Sequence, residues 1–522
     1  MKKMKKITAL LLTLLLALSL AACGESQEDL FTVSVDLPEE ITTLDPAMVT
    51  NDAERMVVSH LFENLMKLTN DGQGRGKVVG GMASDYECVN NLDGTQTYTF
   101  TLRPGITWAD GKPVTAADFV FAWRRLADPA TESPNAALLE MVAGYSSARK
   151  KGDMEKLQVT AVDEKTLEVV LSAPCLYFAE LICTHAATMP VREDMVQAEG
   201  WATNPATLVA NGPYRTVQSW DENGLTLTTD ETYYEYRRLG PDALCFTDGD
   251  ADFRLTYQPV EDEEEPWTAA PVAQTGTLVI NQMSDLSEEL RQALSLVIDR
   301  VAISAILGSN YTAAEGLIPH GIRNTQGEEF RLAAGALIDN DPEQYEARCE
   351  AARGLLQGQT LPAAGNASLL YVSDAATDQV ALTLRTAWQE ELGVSVRLRA
   401  VTLEEMQEAL DKGEFNMALV MMTAESNDAA AMLHDWTSAA EENYAHIHNS
   451  AYDLLMRISD ASTSAVARDA YLGDAERMLL ESGYVTPVCH VAGAWLLSDD
   501  LTGVFGDGFG CYYFTGVMER AK

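Results

Sequence analysis

The feature that most limits what this chain can become lies between residues 367 and 422. ASLLYVS is followed by a helical stretch through 376–392, then SVRLRAV, then a second helical stretch at 403–411, then NMALVMM. Short apolar runs alternating with helical periodicity are the pattern of parallel strands joined by crossover helices. The fold is therefore α/β. Phe415, Met417, Leu419 and Met421 alternate along the last run, which reads as a strand with one buried face. That strand delivers Glu425, Ser426, Asn427 and Asp428 to one point, ahead of the alanine run AAAML, which suits a helix. A polar strand–helix corner needs no ligand. Open α/β sheets nevertheless bind ligands beyond the carboxyl ends of their strands, so the corner is also a candidate site.

Elsewhere FTVSVD reads as a strand, Asp45-Pro46 as a turn, and the segment with Met56, Val57, His60 and Leu61 as a helix. Residues 97–102, TYTFTL, are a strand, and TAADFVFAWRRL over 115–126 is a helix capped by its threonine. GPYRTVQSW and LTLTTD make a hairpin, and TGTLVINQ is a strand. SEELRQALSLVIDRVAISAIL predicts one long helix, and 340–357 predicts another. TNDGQGRGK lacks the glycine spacing and the GK[ST] ending of phosphate-binding loops.

The N-terminus, MKKMKKITALLLTLLLALSLAACGES, has a lysine-rich front, an apolar middle and small residues before Cys23, as a secretory signal does. Leu20-Ala21-Ala22-Cys23 resembles the lipobox of bacterial lipoproteins. The resemblance implies cleavage after residue 22, a diacylglycerol on Cys23, and anchoring on the outer face of the cell membrane. Removing residues 1–22 takes away four lysines and no acids, which moves the formal charge from −41 to −45. That balance excludes nucleic acid as a partner, because phosphate binding needs a basic surface. The run Glu261-Asp262-Glu263-Glu264-Glu265 reads as a solvated loop. Of eight cysteines, seven follow Cys23 without any CxxC spacing. They read as small core residues, with at least one free thiol, no disulfide pattern assigned and no metal site. A chain of 522 residues exceeds one core, so two or three lobes are expected.

By residue 97 the sequence resembles a known family. TYTFTLRPGITWADGKPVTAADFVFAWRRLADPATESPNA looks like the hallmark region of the family 5 extracellular solute-binding proteins, the peptide and nickel receptors of ABC importers. LDPAMVTNDAERMVVSHLFENLMKL, WATNPATLVANGPYRTVQSW, ELRQALSLVIDRVAI, GEFNMALV and AERMLLESGYVTPV continue the likeness in order, closest to the oligopeptide-binding lipoproteins. The resemblance implies a type II periplasmic-binding-protein fold, two lobes around a ligand cleft. Residues 31–68, 189–273 and 488–522 would form the first lobe, 69–188 its extra subdomain, and 274–487 the second lobe. Residues 1–22 would be the signal and 23–30 the lipidated tether. A monomeric receptor without a cofactor would bind short peptides and pass them to permease subunits driven by their ATPases. It would not be an enzyme.

In oligopeptide receptors the corner reads close to ADYNDP, and its first acid takes the ligand's ammonium. Ala424-Glu425-Ser426-Asn427-Asp428-Ala429 matches those positions, so Glu425 would hold the amine and Asn427 would line the site. Asp428 reads as the cap of the alanine helix. Thr50, Asn51, Asn135, Asn281 and His490 are the other cleft candidates that the likeness supplies. Several family aromatics and a basic residue are replaced, by Val279, Leu403, Leu419 and Cys489-His490-Val491 among others, so the cleft is less aromatic and less basic than the family pattern. Three further readings exist, one of them a receptor of the same fold that presents its ligand to a sensor and does not import it. His434, His446, His448 and His490 could make a metal- or haem-chelate receptor of the same family, with His446 and His448 alternating along a strand. An extracellular hydrolase would need a motif such as GxSxG or HExxH, and neither occurs.

Overall fold

The structure is a computed structural model. It describes residues 30–520 except 223, 261–265, 285, 364–366, 425 and 441. Among the described residues no helix is long and apolar enough to cross a membrane.

The βαβαβ series folds as its pattern requires. Ala367–Val372 pairs in parallel with Val396–Val401 on one side and with Met417–Thr423 on the other. Helix Ala375–Leu392 starts at the Asp374 side chain, which accepts from Ala376 N and Thr377 N, and ends at Gly393 in the left-handed region. Helix Leu403–Lys412 begins in a capping box of Thr402 and Glu405. The last strand corrects the one-face expectation. Met417 and Ala418 are both fully buried, Met422 is buried, and Met421 is exposed. A strand inside a sheet covered by helices on both faces is apolar on both faces. Neighbouring residues accordingly enter different cores: Met417 packs with Leu278 and Leu369, and Ala418 packs with Val279 and Leu370.

These strands belong to an eleven-stranded sheet that runs through the whole molecule. Two strands carry it across. Thr268–Ile280 and Val485–Leu497 run antiparallel over 13 residues each. Their register is interrupted between Pro271 and Thr275, so the ladder there has a gap. On one side of the gap the sheet continues through Phe253–Thr256, Thr32–Asp36, Ala243–Phe246 and the hairpin Gly224–Thr228 with Thr216–Asp221. On the other side lie Met417–Thr423 and its parallel neighbours. One hydrophobic core gathers residues from 33–270 and 501–517, and two others gather residues from 278–488.

The first core also holds a four-stranded antiparallel sheet in the order Ala83–Asn90, Gln96–Leu102, Thr166–Leu171, Val159–Ala161. Helix Ala116–Ala127 packs on it through Phe119, Trp123 and Leu126, and its cap pairs Thr115 with Asp118. The expected single helix over 287–307 is two helices, Glu288–Leu296 and Arg300–Leu307. Asp299 breaks it, because its side chain accepts from Ala302 N and starts a new helix. Each of the seven cysteines after Cys23 is unpaired, and five are buried.

Candidate functional site

The strand Met417–Thr423 ends beside the gap in the crossing strands. Met422 pairs with Thr275 and Thr423 with Gln274, and Ala424 N donates to Ala273 O at 2.8 Å. The polar corner therefore leaves the sheet where the two halves of the molecule meet. Glu425 lies outside the described residues, as does Cys23. Asp428 caps helix Ala429–His434, accepting from Ala430 N at 2.8 Å. Arg468 donates to both its oxygens, at 2.8 and 2.9 Å, and the pair is almost wholly buried. Burial opposes the Arg468 charge, but Asp428 outweighs it and holds the guanidinium pKa above its ordinary value. The Asp428 charge is thus matched inside the protein. Asn427 accepts from Arg323 N at 2.9 Å and donates to Asp507 O at 3.0 Å, so its amide ties protein backbone on both sides.

Thr50 and Asn51 share one loop, and Asn135 from another segment reaches it. Asn51 caps helix Asp52–Leu61 by accepting from Glu54 N at 2.8 Å, and it donates to Glu40 O at 3.1 Å. Asn135 donates to Val49 O at 2.7 Å. Thr50 is exposed, and its N and Oγ1 donate to Glu54 Oε2 at 2.8 and 3.1 Å. Burial by itself would raise the Glu54 carboxyl, but hydrogen bonds from Thr42 and Thr50 hold it below the usual range.

His490 sits in a crossing strand beside the gap. Its Nδ1 is 2.9 Å from Thr275 Oγ1, which itself donates to Leu317 O at 2.8 Å. Thr275 must therefore accept from Nδ1–H, and Nε2 is left as a buried acceptor with no partner among the described residues. Burial pushes this imidazole down to about 3, with Arg331 adding to the effect. Asn281 stands apart. It is buried, brackets Gly413 O and Phe415 O at 2.9 and 3.2 Å, and lies roughly 20 Å along its strand from Thr275.

Other residues at the junction escaped sequence reading. Asp507 is partly buried, and its carboxyl accepts from Phe509 N and Cys511 N at 2.7 and 3.0 Å. Burial raises its pKa, with Arg55 opposing. Its carbonyl takes Asn427 and also Arg323 Nε at 3.2 Å. Beside it a Cβ on Gly508 would stand 2.6 Å from Gly321 O, so the two backbones touch only because both residues are glycine. GDGFG at 506–510 was the available signal, since clustered glycines mark close backbone approach. On the other flank the Arg468 guanidinium lies 4.5 Å from the centre of the Tyr177 ring, and Tyr177 had no signal in sequence. Contacts from the first core thus land on both Asn427 and the Asp428–Arg468 pair.

The histidine reading loses its strand. Residues 446–449 form no helix or strand, His446 turns with φ 52°, and His448 is exposed. A left-handed residue breaks the alternation that would put both rings on one face. His434 pairs with Asp460 at 3.0 Å. Among the described residues no group of three or more potential metal ligands gathers.

Comparison with known proteins agrees with this architecture. The model of the family described as bacterial extracellular solute-binding proteins, family 5, matches residues 77–265 and 253–444. The periplasmic murein peptide-binding protein MppA of Escherichia coli is 27% identical over 502 residues, covering 90% of this chain and 89% of that protein. The oligopeptide-binding protein OppA of Bacillus subtilis is 26% identical over 567 residues, the full length of both. Among solved structures, the unliganded open form of MppA superposes with a TM-score of 0.82 at 24% identity, over 94% of this chain and 98% of that one. Haemophilus influenzae OppA in complex with the peptide RPPGFSPFR gives 0.66 at 23% identity, over 94% and 99%. The fold is the type II periplasmic-binding-protein fold.

Proposed function

The chain belongs to the family 5 bacterial extracellular solute-binding proteins, and from that premise we propose that it captures short peptides and hands them to an ABC permease. The lobes are taken as 31–68 with 189–273 and 488–522, and 274–487, with 69–188 as the subdomain of the first. The observation that carries the reading is that Ala424 leaves the sheet at the gap in the crossing strands and that Asp428, the second acid of the corner, is already neutralised by Arg468. That leaves Glu425 as the acid of the corner for a ligand ammonium. Its partner must be a charge, because an ammonium taken out of water without one costs several kcal/mol.

An extended peptide enters between the lobes. Main-chain groups of the 47–51 loop and of the crossing strands pair with its backbone by strand addition, which reads no side chain. Closure about the crossing strands excludes water and strengthens the ammonium–carboxylate pair. The closed receptor docks on the permease, and a lipid on Cys23 keeps it at the outer face of the membrane. The chain acts as a monomeric binding protein and not as an enzyme.

A thermal-shift screen of the body from residue 24 tests this against pooled di- to hexapeptides and against Ni²⁺. A peptide at 100 times its dissociation constant adds about 2.7 kcal/mol to stability, a clear upward shift. A response to Ni²⁺ with none to any peptide would overturn the peptide reading.

A further inference from the structure

Beneath the hairpin of Met66–Asn70 and Gly76–Gly80 the first lobe holds a cavity of about 520 Å³. That is the size of a small-molecule site. It shares no lining residue with the 424–428 corner, the 47–51 loop or His490. Phe62, Met66, Leu68, Val79 and Phe505 give it apolar walls.

Its polar side is closed on itself. Glu63, 4% exposed, accepts from the hydroxyls of Tyr233 and Tyr234, the second at 2.6 Å. The Lys67 ammonium lies between Glu63, at 3.5 Å, and Glu235, and it donates to the Tyr234 hydroxyl at 2.9 Å. Arg238 pairs with Glu235 at 2.7 Å and extends into solvent. Among these four groups two acids and two cations cancel, and the adjoining crevice adds one more of each, Glu231 and Arg237.

Arg103 makes no ion pair within that group, although against the effect of burial its charge helps to lower the Glu235 carboxyl. Its Nε and Nη2 donate to Gly81 O and Gly80 O at 2.6 and 3.0 Å, and its guanidinium lies 5.6 Å from the centre of the Tyr234 ring. Among the described residues no carboxylate is within ion-pair distance of it. It lines this cavity and also a crevice of about 440 Å³ formed by residues 231 and 233–238, so the cation stands between the two. A half-buried guanidinium left over beside apolar walls favours a ligand with an anionic head and an apolar body.

We propose that this cavity is a second ligand site, separate from the interlobe cleft, for a small amphiphilic carboxylate whose apolar body lies under the hairpin and whose head meets Arg103. Calorimetric titration of the mature chain with decanoate tests it, with decanol and decylamine as neutral and cationic copies of the same tail. The expected result is one decanoate per chain, with both copies bound more weakly. Arg103→Gln should weaken decanoate about tenfold or more, and Arg103→Lys should weaken it less. Leu68→Trp fills the cavity without touching Arg103 and should abolish uptake while leaving the peptide response intact. Because Arg103 also holds two carbonyls, the Leu68→Trp variant and the decanol comparison decide the matter if Arg103→Gln does not fold. Failure of decanoate to saturate the wild type, equal affinity for decanol, or unchanged affinity in Leu68→Trp would each overturn the site.

Discussion

Acidification from about pH 7 to about pH 5.5 should remove several kcal/mol of stability through three histidines, His60 and His490 buried and His185 partly so. His60 donates from Nδ1 to Met56 O at 2.7 Å and accepts at Nε2 from Phe514 N at 3.1 Å, so its ring is held neutral. His185 accepts from Ala187 N at 3.1 Å, and His490 donates to Thr275. Burial pushes the three down to about 4, 3 and 3. In the unfolded chain each takes a proton near its ordinary value of about 6.5. A depressed histidine therefore contributes stability that is present above the unfolded value and is lost as pH falls toward the folded one. Over that interval each loses about 1.2 kcal/mol by linkage, close to 4 kcal/mol for three. His320 acts in the opposite sense. Glu329 raises it, so its contribution is present below the unfolded value and is lost as pH rises through the folded one, but the ring is half exposed and screened. Urea unfolding by tryptophan fluorescence at the two pH values measures the loss. In His490→Gln one imidazole leaves the balance, and the pH-dependent loss should shrink by about 1.2 kcal/mol whatever the variant's stability at neutral pH. An undiminished loss in that variant would refute the assignment of His490 as a buried neutral ring.

Arg468→Ala leaves Asp428 buried without its partner and should cost about 3–5 kcal/mol in urea unfolding. Arg468→Met combined with Asp428→Asn should cost clearly less, because no buried charge is then left alone. Asn427→Ala frees Arg323 N and the Asp507 carbonyl, an expected loss of about 1–3 kcal/mol, seen as faster amide exchange across 505–511. Cys23→Ala should move the chain from the membrane fraction to the soluble one and abolish incorporation of labelled palmitate.

What could be read in the sequence was what neighbouring residues decide. The βαβαβ series is written in local code: Asp374 and Thr402 start its helices, and Gly393 and Gly413 end them. Asp428 as a cap was legible for the same reason. Asp299, inside an unbroken apolar pattern, gave no warning, since an aspartate on a helix surface and one at a new N-terminus look alike until the backbone commits. The alternation at 415–421 misled because a strand's second face is set by helices packed from elsewhere in the chain. Asn427 illustrates the limit at the candidate site. Its partner Asp507 is 80 residues away in sequence, and the glycines around Asp507 signal a close approach without saying to what. A still longer separation hides Arg468 from Tyr177.

The most direct measurement is a calorimetric titration of one tripeptide and its N-acetylated twin into the wild type and into Glu425→Gln. A peptide receptor that holds the ligand ammonium at Glu425 binds the free-amine form at least about tenfold tighter than the acetylated form, a difference of about 1.4 kcal/mol, and the substitution removes that preference. Equal affinity for the two forms in the wild type would contradict the assignment of Glu425, and absence of heat from any peptide would contradict the peptide cargo itself.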